Sequence, residues 1–105
     1  MVLRTIPLGL ILDDDGFLSS PYLWSPEVAV FLAAEQGLEA LSGEHWRVID
    51  CIRDYYLRFG ISPPLLVLRK ETGLTLKGIL SLFPAGLRDG AVKIAGLPKP
   101  SGLYP

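Results

Sequence analysis

Ala95-Gly96-Leu97-Pro98-Lys99-Pro100-Ser101-Gly102-Leu103-Tyr104-Pro105 closes the 105-residue chain. It sets where regular structure stops. Three prolines fix φ and remove backbone donors, and two glycines loosen what lies between them. Neither a regular helix nor a central strand fits this run. It reads as an extended, partly polyproline-like arm at a weakly held chain end. Everything ahead of it, residues 1–94, reads as one domain, because the length suits a single small core and no repeat or linker interrupts it.

Working back from the arm, five helices are expected. A short one covers Asp89–Ala95. Before it, Thr75 caps residues 76–83, which Pro84 stops. Ser62 as N-cap and Pro63 at the first helical position open another, ended at Thr72 by Gly73. The last two form a helix-turn-helix-like pair. The longest helix spans residues 43–59, from a Ser42 cap to Gly60. At 100° per residue His45, Val48, Ile49, Ile52, Tyr55, Tyr56 and Phe59 share its apolar face. Glu44, Arg47, Asp50, Asp54 and Arg58 take the other. Ser25-Pro26-Glu27 starts the first helix, with Val28, Phe31 and Leu32 inward and Gly37 at its end. Ahead of it, residues 5–18 read as a hairpin with Asp13-Asp14-Asp15-Gly16 as the turn and Phe17-Leu18 resuming. The fold class is therefore α+β: an N-terminal β-hairpin, about five helices, and the arm.

Composition narrows the function. Half the residues are hydrophobic, which suits a packed core. No apolar run approaches the ~20 residues of a membrane span, and the first residues do not read as a signal peptide, so a cytoplasmic protein is expected. One cysteine and one histidine exclude a disulfide framework, a Cys-based zinc cage and a His-rich metal site. The three aspartates lack the spaced oxygen ligands of a Ca²⁺ loop and read as turn chemistry. No nucleotide-binding, hydrolase or metalloprotease motif is present, and no nucleophile–base pair follows from spacing. Neither a cofactor nor an active site is expected.

The charge is uneven. Residues 1–60 carry nine acids and four bases; residues 61–105 carry six bases and two acids. Arg69, Lys70 and Lys77 form a candidate basic face for an acidic partner or nucleic acid, against the simpler reading of a solvated surface. A DNA-reading helix should offer Arg, Lys, Asn or Gln to base edges. Residues 76–83 offer Lys77 and Ser81 among apolar residues, so this helix reads as core. His45 reads as a hydrogen-bonded core residue rather than a base or ligand. Cys51 lies in a helix interior beside Asp50 and Asp54, which do not lower a thiol pKa.

Ile94-Ala95-Gly96-Leu97-Pro98-Lys99-Pro100-Ser101-Gly102 resembles the C-terminal signature of the DsrC/TusE family of small sulfur-carrier proteins. The resemblance extends to Asp13-x-x-Gly16-Phe17-Leu18, Trp24, the Leu41 to Trp46 junction, Arg53, Tyr55-Tyr56, Gly60, Pro63, Lys70, Leu82-Phe83-Pro84 and Gly86. It implies a DsrC-like fold whose arm meets a protein partner, either a sulfite reductase or a Tus-like sulfur-relay complex. The arm residues implied to bind are Gly96, Leu97, Pro98, Lys99, Pro100, Gly102, Leu103 and Tyr104.

Three departures stand out. Leu103 occupies the position of the family's carrier cysteine, and no cysteine stands near Val92, where the resemblance places the upstream one of the two-thiol branch. Leu66 replaces the arginine of a Pro-x-x-Arg-x-Leu-x-Lys segment, with Lys70 kept. Leu103-Tyr104-Pro105 follows Gly102 where the family has a cysteine and one more residue. A persulfide needs sulfur, and leucine has none. The chain thus resembles the cysteine-free branch of the family, lacking the C-terminal carrier cysteine, for which a non-catalytic, regulatory role is expected. Sulfur transfer through Cys51 or a partner thiol, and DNA-binding regulation through the helix-turn-helix-like pair, are the alternatives.

Overall fold

Serine and threonine caps organise the helices of this computed structural model, which describes residues 4–5 and 11–99. Helix α1, Pro26–Glu35, opens where Ser25 Oγ accepts from the Val28 amide at 3.3 Å. It closes in a Schellman motif: Leu38 N–H and Gly37 N–H donate to Ala33 and Ala34, with Gly37 at φ +85°. Val28, Ala29, Leu32 and Ala33 are buried.

Helix α2, Gly43–Phe59, has a capping box at Ser42 and His45 and ends at a left-handed Gly60. Val48, Ile49 and Ile52 form its buried stripe. The apolar face expected from periodicity runs out before the last turn, where Phe59 is 60% exposed.

Helix α3 begins later than the sequence suggests. It spans Leu65–Thr72, with Pro64 and not Ser62 at its N-cap and no side-chain cap. The reason is local: Pro64 disfavours helical backbone at Pro63, so no helix starts before the second proline. Gly73, Leu74 and Thr75 join it to α4, Leu76–Leu82, where Thr75 Oγ1 accepts from Gly78 N–H at 3.0 Å.

The fifth helix also differs from expectation. Leu87–Val92 is wound as a π-helix rather than an α-helix over 89–95, and one further turn follows at Lys93–Ile94. Leu87, Gly90, Ala91, Val92, Ile94 and Ala95 are all buried. Gly90 allows close packing here, since an added Cβ would stand 3.2 Å from Phe83 Cβ, a tight contact.

At the N-terminal end Arg4–Thr5 pairs antiparallel with Ile11–Leu12, and a single bridge joins Leu12 to Leu18. The expected strand residues Ile6, Leu8 and Leu10 lie outside the described residues. The Asp13–Gly16 turn stands as read: Asp13 Oδ1 accepts from the amides of Asp15 and Phe17, both at 2.9 Å. Leu12, Phe17 and Leu18 enter one core with the buried faces of all the helices. Among the described residues no helix is long and apolar enough to cross a membrane.

Candidate functional site: the root of the C-terminal arm

The arm begins inside the core. Ala95 and Leu97 are fully buried, and Gly96 with them; among the described residues of this stretch only Pro98 and Lys99 are exposed. The composition of residues 95–105 reads as a free end, but two hydrogen bonds that it does not reveal hold the carbonyls of Ile94 and Ala95. Trp24 Nε1–H donates to Ile94 O at 2.9 Å. Arg53 Nη1–H donates to Ala95 O at 2.8 Å, while Nη2–H donates to Pro21 O at 3.2 Å. The Arg53 guanidinium also lies 4.1 Å from the Trp24 ring centroid, a cation–π stack.

These groups satisfy backbone carbonyls that the end of a helix leaves without intrahelical partners. They come from distant elements. Pro21–Leu23 is a 3₁₀ turn that carries Trp24 as its C-cap, and Arg53 lies mid-way along α2. Burial lowers the Arg53 pKa, opposed by Asp54; the guanidinium stays charged at neutral pH.

Gly96 turns the chain through φ +76°, and its α-carbon faces Trp24. An added Cβ would sit 2.8 Å from Trp24 Cγ and closer still to Cδ1. Glycine is demanded here twice, by backbone conformation and by space. Beyond it Leu97 plugs the core and Lys99 forms an ion pair with Asp15 of the 13–16 turn. Lys99 holds the Asp15 carboxyl below the usual carboxylate range, with Arg88 and Lys93 adding to the effect.

The remaining arm residues named from sequence, Pro100, Gly102, Leu103 and Tyr104, lie outside the described residues. Arg69 and Lys70 are exposed on α3 and Lys77 on α4. Among the described residues none of the three shares a hydrogen bond or ion pair with residues 96–99. Helix α4 buries Ile79 and exposes Lys77 and Ser81. Leu66 is 72% exposed, an apolar side chain on open surface.

Cys51 is half-buried on α2. Burial pushes its thiol pKa up, and the carboxylates of Glu71 and Asp54 push it further. This is the reverse of the electropositive setting of reactive cysteines. His45 is a structural residue: Nδ1 accepts from Ser42 N–H at 3.0 Å, Nε2 meets Leu82 O at 2.8 Å, and the ring packs edge-on against Phe83. Among the described residues no group of three or more His, Cys, Asp or Glu side chains is arranged to hold a metal.

Sequence reasoning put Trp24 and Arg53 in the family pattern but gave neither a role. A signal for Arg53 was available. It sits four residues after Ile49, on the inward side of α2, where an unpaired guanidinium is costly.

Known proteins resemble this chain along most of its length. The family model described as "DsrC like protein" matches residues 9–103. The gamma subunit of dissimilatory-type sulfite reductase from Nitratidesulfovibrio vulgaris is 43% identical over 90 residues, 86% of each chain. The sulfurtransferase TusE of Salmonella paratyphi A is 41% identical over 95 residues, covering 84% of this chain and 86% of that protein. The crystal structure of dissimilatory sulfite reductase I (DsrI) superposes with a TM-score of 0.86 at 40% identity, covering 98% of this chain and all of the other. The buried arm root, the Gly96 turn and the five-helix core thus belong to a DsrC-like fold, and the chain is a member of the DsrC/TusE family of sulfur metabolism.

Proposed function

We propose that this protein is a partner-binding member of the family that presents the arm without carrying sulfur on it. The observation that carries this reading is Leu103 at the carrier position, with the single thiol placed on α2. The chain is not free of cysteine, since Cys51 is present; it is the arm that has none. A half-buried thiol beside two acids is a poor nucleophile at neutral pH. The protein has no active site of its own in this reading.

The partner is a protein whose groove accepts the arm. The names of the relatives point to a sulfite reductase or to a Tus-like sulfur relay. Pro98, Lys99, Pro100, Gly102, Leu103 and Tyr104 form the binding element; Gly96 and Leu97, expected from sequence to bind, are buried and anchor it to the core instead, and Arg69, Lys70 and Lys77 give an accessory basic face. Leu103 and Tyr104 add apolar area worth about 2 kcal/mol each if fully buried. An arm that docks without cargo blocks a thiol-bearing relative, which makes the role regulatory. The α3–turn–α4 pair is helix-turn-helix-like in connectivity and serves as framework.

Incubation with a persulfide donor followed by intact mass spectrometry tests this. An unchanged mass is expected, together with arm-dependent capture by a sulfite-reductase or relay partner. A mass gain of one sulfur would overturn it. That result would favour the second reading, suggested by relatives named sulfurtransferase: sulfur transfer through Cys51. Under that reading Cys51→Ser abolishes loading.

A further inference from the structure

We infer that the arm has a parked state in which Lys99 is clasped by Asp15, with Pro98 as its pivot. The inference rests on the arm being the partner-facing element and adds how its position is controlled.

The fixed side of the clasp is the turn. Asp13 Oδ1 binds the amides of Asp15 and Phe17, Asp13 N–H donates to Phe17 O at 2.8 Å, and Gly16 takes φ +86°. Phe17 beneath it is fully buried. Asp15 therefore projects its carboxylate from a platform tied to the core. Cations surround that platform. Arg88 and Lys93 lie 5.4 and 4.9 Å from the Phe17 ring centroid. Arg88 is already paired with Asp89 at 2.6 Å. Lys99 is the cation that reaches Asp15 itself.

The moving side is short. Leu97 is fully buried and Pro98 has its φ fixed by the ring, so Lys99 stands two residues, at most about 7 Å of chain, from an immobile point. This tether keeps the ammonium at high effective concentration near the turn. Both partners remain about half exposed. The clasp is thus a bias and not a lock: an exposed pair shifts a two-state balance severalfold and is screened by salt. A partner that offers its own carboxylate to Lys99 exchanges one ion pair for another and frees the arm at little cost.

Lys99 carries the only backbone amide between Leu97 and Ser101, since residues 98 and 100 are prolines. Its heteronuclear ¹H–¹⁵N NOE is therefore the one backbone readout between Leu97 and Ser101, and the variants separate the clasp from the restraint of Leu97 and the flanking prolines. In the isolated wild-type chain at low salt this NOE is expected to approach that of core amides. It should fall in Asp15→Asn, in Lys99→Gln, and in the wild type at about 0.5 M NaCl, where the Debye length is only a few Å. The Trp24 indole N–H signal, unshifted in both variants, serves as the check that the arm root stays folded. A low NOE in the wild type, or one that either variant leaves unchanged, overturns the clasp. Because no partner is present, these outcomes are separate from success or failure of arm-dependent capture.

Discussion

The Trp24 indole N–H donates to the carbonyl of Ile94, seventy residues further along the chain. This bond and the Arg53 fork hold the backbone of residues 94 and 95 against the core. Gly96, one residue beyond Ala95, turns against the face of the same indole. Gly96→Ala is expected to destabilise the fold by about 2–4 kcal/mol, from left-handed backbone and a crowded Cβ together. Thermal unfolding should show a fall in Tm of the order of 10 °C or more. A loss below about 1 kcal/mol would mean that Trp24 yields easily and that the arm root is not fixed.

Arg53 makes two hydrogen bonds and a stack with one planar group. Lysine reproduces the charge but not the fork. Arg53→Lys is expected to cost about 1–3 kcal/mol in urea unfolding. It should also shift Trp24 fluorescence, since the cation over the ring moves. A silent Arg53→Lys would show that charge alone suffices at this position.

Cys51 provides the pH test. Burial, Glu71 and Asp54 all favour the neutral thiol, and only the thiolate reacts. Alkylation by iodoacetamide in the folded protein should be slower than in the urea-unfolded chain at neutral pH, and its rise with pH should be displaced to higher pH. The linkage has a definite sign. Above the unfolded thiol pKa the native state holds the proton longer, so unfolding releases it and stability falls as pH rises toward the folded pKa. Faster alkylation in the folded state would place Cys51 among activated thiols and favour the sulfur-transfer reading.

What the sequence made legible is what local chemistry decides. Ser25, Ser42 and Thr75 cap helices where expected, because each cap is made within three residues. The Asp13–Gly16 turn is similarly self-contained. The π-winding of Leu87–Val92 was not legible. Within it Gly90 packs close to Phe83 and Ala85, an approach that no local pattern announces. The arm root escaped for a related reason. Gly96 and Pro98 carry the composition of a free end, and the burial of Ala95 and Leu97 depends on side chains at positions 24 and 53. Leu103, by contrast, needed only the family's pattern to be noticed.

His45 offers the last test, because its two ring nitrogens do different work. Leu82 O only accepts and Ser42 N–H only donates, so both contacts are satisfied together by the tautomer with its proton on Nε2. The ring thereby ties the start of α2 to the end of α4. Glutamine at this third helical position preserves a capping box but is not placed to span both partners. His45→Gln is therefore expected to lose about 1–2 kcal/mol, the worth of the Leu82 bond and the edge-on Phe83 contact. His45→Ala should lose about 2–4 kcal/mol, since the Ser42 N–H to Nδ1 half of the capping box, the edge-on Phe83 contact and the Leu82 bond go together, while the backbone N–H of residue 45 still donates to Ser42 Oγ. Denaturant unfolding of the two variants separates these contributions. Equal losses would show that the capping box contributes nothing and that His45 acts only through Leu82 and Phe83.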